Sequence, residues 1–294
     1  MTVCLNPVIQ RTVLLQDFSE NQVNRSDNYR MDVSGKGINV SRVLQQLGEH
    51  CLHITQAGGH FCSLFLELSK VDELNIEAAE SFTDIRICTT LINLARCTTT
   101  EIVEEGQPVE SGTQERIFRI FSDHINEYDS LIISGSKAPG FSDDFHAQLA
   151  GKAKDLGKTV ILDTRGRDLL NSLAYKPDII KPNYDEFCAT FFPDETNPEP
   201  APEQVHRKML ELAENGIVTI LTRGSRPLWY THEGLIHNLT PEPLKPVNTI
   251  GCGDAFTAGL ACEWHQTASL PAAVAKGMQC ARLNAQLIRP GVIR

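Results

Sequence analysis

The chain reads as an α/β protein, with a mostly parallel central sheet covered by helices on both faces. Three observations predict this. Runs such as Leu131-Ile132-Ile133 and Val160-Ile161-Leu162 are apolar without alternation, as in strands buried on both sides. Such runs alternate along the chain with segments of helical period. The strand-like runs end in polar residues (Asn6, Ser134, Asp163, Asn183, Thr222). One edge of the sheet should therefore collect polar side chains, where open α/β sheets bind ligands. A length of 294 residues suffices for one large core. With no internal repeat, low-complexity tract or long linker, residues 1–294 are expected to form a single domain.

Taken in order, Val3-Cys4-Leu5 is a short buried strand that stops at Asn6-Pro7. Residues 11–15 and 29–33 are strands joined by a polar loop. Ser34-Gly35-Lys36-Gly37 turns the chain into a helix over 39–47, with Val40, Val43, Leu44 and Leu47 on one face. Gly48 stops it. Residues 53–56 suit the next strand, left through Ala57-Gly58-Gly59. Residues 85–93 and 98–103 are rich in β-branched side chains and suit paired strands. With the segments near 11–16 and 29–33, the stretch 85–103 predicts a small second sheet apart from the main body. Beyond the strand at 131–133 come a helix near 142–156, a strand at 159–163, and a strand at 179–180 followed by a helix. An acidic, proline-rich surface loop over 193–203 follows, then a helix at 203–214 and a strand at 217–222. Helices near 254–266 and 271–287 complete the order.

The net charge of −10 argues against nucleic acid or an anionic membrane as partner. No apolar run reaches spanning length and no signal peptide is present. The nine Cys are scattered with no Cys-x-x-Cys pair, which suits reduced thiols in a cytoplasmic protein. His50, Cys51 and His53 are close together, but no second ligand pair stands at zinc spacing.

Four stretches carry chemistry. In Asn248-Thr249-Ile250-Gly251-Cys252-Gly253-Asp254, glycines flank a small residue where a helix begins. Glycines let backbone N–H groups approach a ligand, and a first helical turn offers unpaired donors and the positive dipole end, so a phosphate suits it. Asp254 beside an anion site makes sense if it deprotonates the attacking hydroxyl; a plain turn with an N-terminal Asp is the other reading. Gly35-Lys36-Gly37-Ile38-Asn39 suits an anionic or polyhydroxylated ligand, or a tight turn with an exposed lysine; it is not a Walker A loop. Lys181-Pro182-Asn183 with Glu186 could hold hydrated Mg²⁺ beside nucleotide phosphates, or form a helix capping box. Thr222-Arg223-Gly224 ends a strand with a cation that could meet phosphates or solvent.

Together and in this order, these stretches resemble the phosphofructokinase B family of ribokinase-like carbohydrate kinases, nearest to its 1-phosphofructokinase and tagatose-6-phosphate kinase branch. Leu5-Asn6-Pro7, Val23-Asn24-Arg25, Ser34 through Arg42, Arg86-Ile87, Ser134-Gly135-Ser136, Pro139-Gly140, Lys181-Pro182-Asn183 with Glu186, and Asn248 through Asp254 carry the resemblance. It implies a three-layer α/β/α core with the small sheet as a lid, and an ATP- and Mg²⁺-dependent kinase of a phosphorylated ketohexose. Fructose 1-phosphate comes first as acceptor, with tagatose 6-phosphate and fructose 6-phosphate next. Asp254 would be the base and Gly251, Cys252 and Gly253 the anion hole. Gln10, Gly35, Lys36, Asn39, Arg86 and Ser136 would contact the acceptor, with Arg86 on its phosphate. Lys181, Asn183, Glu186, Thr222, Arg223, Gly224 and Asn284 would face the nucleotide, with Asn183 and Glu186 positioning the metal and Asn284 near the adenine. A homodimer through the lid is the family expectation. Departures cluster on the acceptor side: Gln10 replaces an acid, Ser34 a glycine, Cys88 an asparagine, and Lys137 is an added cation. A kinase of an unphosphorylated sugar or nucleoside, or a sugar-phosphate or nucleotide sensor without turnover, are the alternatives they raise.

Overall fold

The computed structural model describes residues 1–193 and 200–294. The elements run β1 (Thr2–Cys4), β2 (Val8–Leu15), β3 (Tyr29–Ser34), α1 (Lys36–Gln46), β4 (His53–Ala57), α2 (Cys62–Val71), β5 (Ile76–Glu80), β6 (Arg86–Asn93) and β7 (Thr98–Val103). Then follow α3 (Thr113–His124), β8 (Ser130–Ser134), α4 (Phe145–Asp155), β9 (Thr159–Asp163), α5 (Gly166–Ser172), β10 (Ile179–Ile180), α6 (Tyr184–Phe191), α7 (Pro202–Glu214) and β11 (Val218–Leu221). Last come β12 (Leu228–His232), β13 (Leu235–Leu239), α8 (Cys252–Thr267) and α9 (Leu270–Ala285).

Nine strands form the main sheet, in the order β13-β12-β11-β10-β9-β8-β1-β4-β5. From β11 to β5 every pairing is parallel; β12 and β13 add an antiparallel edge. Because the central strands are covered on both faces, alternate side chains feed different layers. Leu131, Ile133, Val160, Leu162 and Ile180 join the layer of α3, α4, α6 and α7, whose buried members include Phe121, Phe145, Phe187 and Met209. Ile132, Ile161 and Ile179 face the opposite layer, with Val40 and Val43 of α1, Phe256 and Leu260 of α8, and Val274 of α9. This is the expected helix–sheet–helix sandwich.

A second sheet has the order β3-β2-β6-β7. Its inner side chains Ile9 and Val33, with Ile85 just before β6, pack with Ile38 and with Phe65 of α2. The expected strand near 11–16 starts earlier, at Val8: the chain bends at Asn6-Pro7 and re-enters a strand at once, because Val8 and Ile9 are buried. β5, the amphipathic α2 and α3, the short α5, and the β12–β13 hairpin are additions to the elements expected from sequence. The hairpin turns at Glu233 and Gly234, both at positive φ (50° and 74°), as a two-residue turn matching strand twist requires. Of the expected surface loop over 193–203, residues 194–199 lie outside the described residues, and Pro202 already opens α7. All nine cysteines are free thiols. Among the described residues no helix is long and apolar enough to cross a membrane.

Candidate active site

Parallel pairing puts the carboxyl ends of β1, β8, β9, β10 and β11 on one edge of the sheet, and the candidate site lies beyond it. Its centre is the first turn of α8. Gly251 caps the helix in a left-handed conformation (φ 80°), followed by Cys252, Gly253 and Asp254. A Cβ on Gly251 would stand 2.8 Å from the backbone nitrogen of Gly291, so both conformation and space require glycine. The N–H groups of such a turn have no helical acceptor and carry the positive dipole end. Such a turn is chemically suited to an anion.

Asp254 is buried at 6 % exposure. The Asn39 side-chain amide donates to its Oδ2 at 2.8 Å. Burial, then the nearby Asp163 carboxylate, push the Asp254 pKa up to about 6, against the lowering effects of Lys36, the Asn39 hydrogen bond and Lys181. The group is ionised at neutral pH yet basic enough to accept a proton.

Asp163, ending β9, is the hub of the surrounding charges. Lys181 Nζ lies 3.2 Å and Lys36 Nζ 3.5 Å from its carboxylate. Thr257 and Ser134 hydroxyls donate to it at 3.1 and 3.4 Å. Burial opposes its charge, but Lys181 and Lys36 outweigh that and hold the carboxyl below its ordinary value. Sequence reasoning put Asp163 on the rim and gave it no role; a lone acid closing an apolar strand was the available signal. Lys36, the first residue of α1, also reaches Glu186 Oε1 at 2.9 Å. Burial works against its ammonium, but Asp163, Glu186 and Asp254 keep it more firmly charged than usual.

The structure joins both readings of Asn183 and Glu186. They form a capping box on α6: Glu186 N–H donates to Asn183 Oδ1 at 2.8 Å, and Asn183 N–H to Glu186 Oε2 at 3.0 Å. Glu186 keeps its other oxygen toward Lys36. Among the described residues no three His, Cys, Asp or Glu side chains are grouped to hold a metal directly. The pair therefore fits an outer contact to a hydrated Mg²⁺ that is bound mainly by phosphates, and does not fit an all-protein cage.

On the acceptor side, Gly35 (φ 121°) turns the chain into α1. Gly37 is required by packing: a Cβ there would stand 2.8 Å from Cys4 Cβ. Gln10 is buried and donates to Thr90 Oγ1 at 2.7 Å. Arg86 opens β6 and donates to the backbone carbonyls of Glu104 (3.1 Å) and Asn6 (3.2 Å). It lines an open cavity of about 440 Å³ with Phe61, Asp84, Glu104 and Glu105. Ser136 is exposed and accepts from Asn6 Nδ2 at 3.2 Å.

Other expected residues have structural duties. Asn284, expected near the adenine, is fully buried: it donates to Ile250 O at 2.9 Å and accepts from Gly291 and Val292 N–H groups at 2.7 and 3.3 Å. That leaves no amide face for a ligand. Arg223 stacks on Trp229, 3.9 Å from the ring centre, with Tyr184 at 5.1 Å, so its cation is held on aromatic faces. Thr222 bridges to Asn183, its carbonyl accepts from Tyr184 N–H at 2.9 Å, and Gly224 is an exposed left-handed turn residue. Lys137 does not extend the acceptor side as a free cation; it is nearly buried and pairs with Asp168. Burial raises the Cys252 thiol to about 11, with Asp254 adding to the rise and the Asn284 contact opposing it, so Cys252 is a neutral small filler.

The sequence pattern of the pfkB family carbohydrate kinases matches residues 3–291. Phosphofructokinase-2 from Escherichia coli superposes with a TM-score of 0.85 at 22% identity, over 97% of this chain and 92% of that one. A protein described as a possible 1-phosphofructokinase from Thermotoga maritima gives 0.85 at 22% identity, over 98% and 93%. The ribokinase of Thermotoga maritima gives 0.74 at 16% identity, over 99% and 94%. At such identities the likeness establishes the ribokinase-like fold. The pattern match covers the anion turn, Asp254 and the lysines around Asp163 alike, and so this chain belongs to the pfkB family of carbohydrate kinases and is a kinase.

Proposed function

We propose that this kinase transfers the terminal phosphoryl group of ATP to a hydroxyl of a phosphorylated ketohexose, fructose 1-phosphate first, then tagatose 6-phosphate or fructose 6-phosphate. The observation that carries the reading is Asp254, a buried carboxylate with pKa near 6, in the same helical turn as an anion-binding backbone. Asp254 takes the proton from the acceptor hydroxyl, whose oxygen then attacks phosphorus. The turn of Gly251, Cys252 and Gly253 receives the charge of the moving group. Lys36 and Lys181 balance negative charge beside it, and Asn183 and Glu186 hold water around the metal. Mg²⁺ with ATP supplies the phosphoryl group and neutralises its oxygens when bound. The small sheet carries the acceptor residues Gln10 and Arg86 on β2 and β6, and as a lid it would exclude water as a competing acceptor. The exposed apolar residues Tyr29, Met31, Ile102 and Val103 of that sheet support pairing with a second copy in a homodimer.

One observation favours a second reading, an unphosphorylated acceptor. Arg86 shares its cavity with Asp84, Glu104 and Glu105, whose negative charges oppose a phosphate dianion, and Lys36 is turned toward Glu186. The retained base argues against a sensor without turnover. The test is ADP release with ATP, Mg²⁺ and, side by side, fructose 1-phosphate, fructose 6-phosphate, tagatose 6-phosphate, fructose and ribose. Preference for one phosphorylated ketose is expected. Preference for a free sugar would remove the phosphate roles of Arg86 and Lys36, and silence on all five with ATP still bound would favour the sensor.

A further inference from the structure

Behind the reaction centre lies a buried charged cluster that the phosphoryl-transfer reading leaves unused. Arg42, on α1, is 3 % exposed. Its guanidinium donates to Asp72 Oδ2 from Nε (3.1 Å) and Nη2 (2.9 Å), to Val33 O (2.5 Å), to Pro290 O (3.3 Å) and, from Nη1, to Asn39 Oδ1 (2.9 Å). Arg289 completes the cluster, meeting Asp72 and, at 2.9 Å, Asp32 of β3.

Asn39 is the link to the base. Its oxygen accepts from Arg42 and from the Ser34 hydroxyl at 3.1 Å, while its NH₂ donates to Asp254. An amide can flip, and the flipped form would set NH₂ against a guanidinium and C=O against a carboxylate, two repulsions at once. We propose that Arg42 is a positioning residue for the base: by claiming the Asn39 carbonyl it forces the Asn39 NH₂ onto Asp254 Oδ2 and leaves Oδ1 as the oxygen that takes the acceptor proton. This rests on the reading of Asp254 as the base.

Arg42 touches no reacting atom, so its effect runs entirely through the orientation of Asn39. Without it, Asn39 is free to turn its C=O to Asp254, which accepts a hydrogen bond from the protonated acid and favours that form. The other groups facing Asp254, namely Asp163, Lys36, Lys181, Cys4 and Cys252, stay in place.

The experiment is the titration of the Asp254 carboxyl by ¹³C NMR in the full chain, assigned by its absence in Asp254→Asn, for the wild type and for Arg42→Met. Methionine keeps much of the stem, and Asp72 keeps Arg289 as partner. The Asp254 midpoint is expected to rise by roughly one unit in Arg42→Met. With an acceptor that the wild type turns over, kcat should fall ~10–100-fold, the acid limb should move up by the same interval, and the KM for ATP should hold. Ser34→Ala removes the second donor to the same oxygen without leaving a buried charge, and should move the midpoint in the same direction by less; if Arg42→Met fails to fold, that variant decides. An unchanged midpoint overturns the proposal. A wild type that turns over no acceptor would sink the proposed function, while the titration would still decide the role of Arg42.

Discussion

The surroundings of Asp254 and those of Arg86 are built in different ways. Around Asp254 every charged side chain is answered: Asn39, Asp163, Lys181 and Thr257 form one buried network, joined by the partly exposed Lys36. Around Arg86 the partners are two backbone carbonyls and a cavity edged by exposed carboxylates. Low dielectric and fixed partners make the first region costly to alter. The exposed carboxylates of the second region can change at little cost in stability, whereas Gln10, Cys88 and Ser34, read from the sequence as departures from the family pattern, are buried. Under the proposed function, the contrast makes catalysis and selectivity separable in this molecule.

The sharpest way to break that contrast is Asp254→Asn. It should lower kcat by about 10³-fold or more while leaving ATP affinity nearly unchanged. It should also raise the melting temperature by a few degrees at pH 8. The Asp254 carboxyl has a folded pKa raised from 3.8 to about 6, so its contribution favours the fold at low pH and is lost as pH rises through about 6. The gain from Asn should accordingly be smaller at pH 5 and vanish only as pH falls below 3.8. Equal melting gains at both pH values would refute the burial argument.

Next in size is Arg86→Ala. If the acceptor carries a phosphate, its KM should rise ~10–100-fold, as for loss of a charged hydrogen bond, with kcat little changed and the KM for an unphosphorylated sugar unaffected. An equal rise for both acceptors would make Arg86 a structural tie between β6 and Asn6. The smallest effect is expected from Gln10→Ala, which removes a buried bond to Thr90. About 1–2 kcal/mol of stability should go, read by urea unfolding, with a shift in acceptor KM of a few fold.

The helix start at residues 251–254 was legible in the sequence because its signal is local: two glycines and an acid before an apolar helical pattern. The parallel sheet was legible from continuous apolar runs, and its polar rim from the residues that end them. Asn284 was misread, because a buried amide and a ligand-binding amide look alike until the chain returning at Gly291 is in place. Arg42 was visible only as part of a motif: Asn39 is three positions away on α1, but the Asp254 that Asn39 meets lies 215 positions on, and no local period encodes that. The β12–β13 hairpin did carry a local signal in Glu233-Gly234, between strands of mixed polarity that hid it.

The segment 289–293 lies against the back of the reaction centre. Gly291 sits on Asn39, where a Cβ would approach to 2.8 Å, and the Ile293 N–H reaches Gln46 Oε1 at 2.8 Å. A short irregular segment opens at lower free energy than the sheet it rests on. Its fluctuations would loosen Asn39 and Gly251 together while the strands stay paired. Heat should therefore silence this protein before it melts it, and amide exchange at Gly291 should report the temperature at which that silence begins.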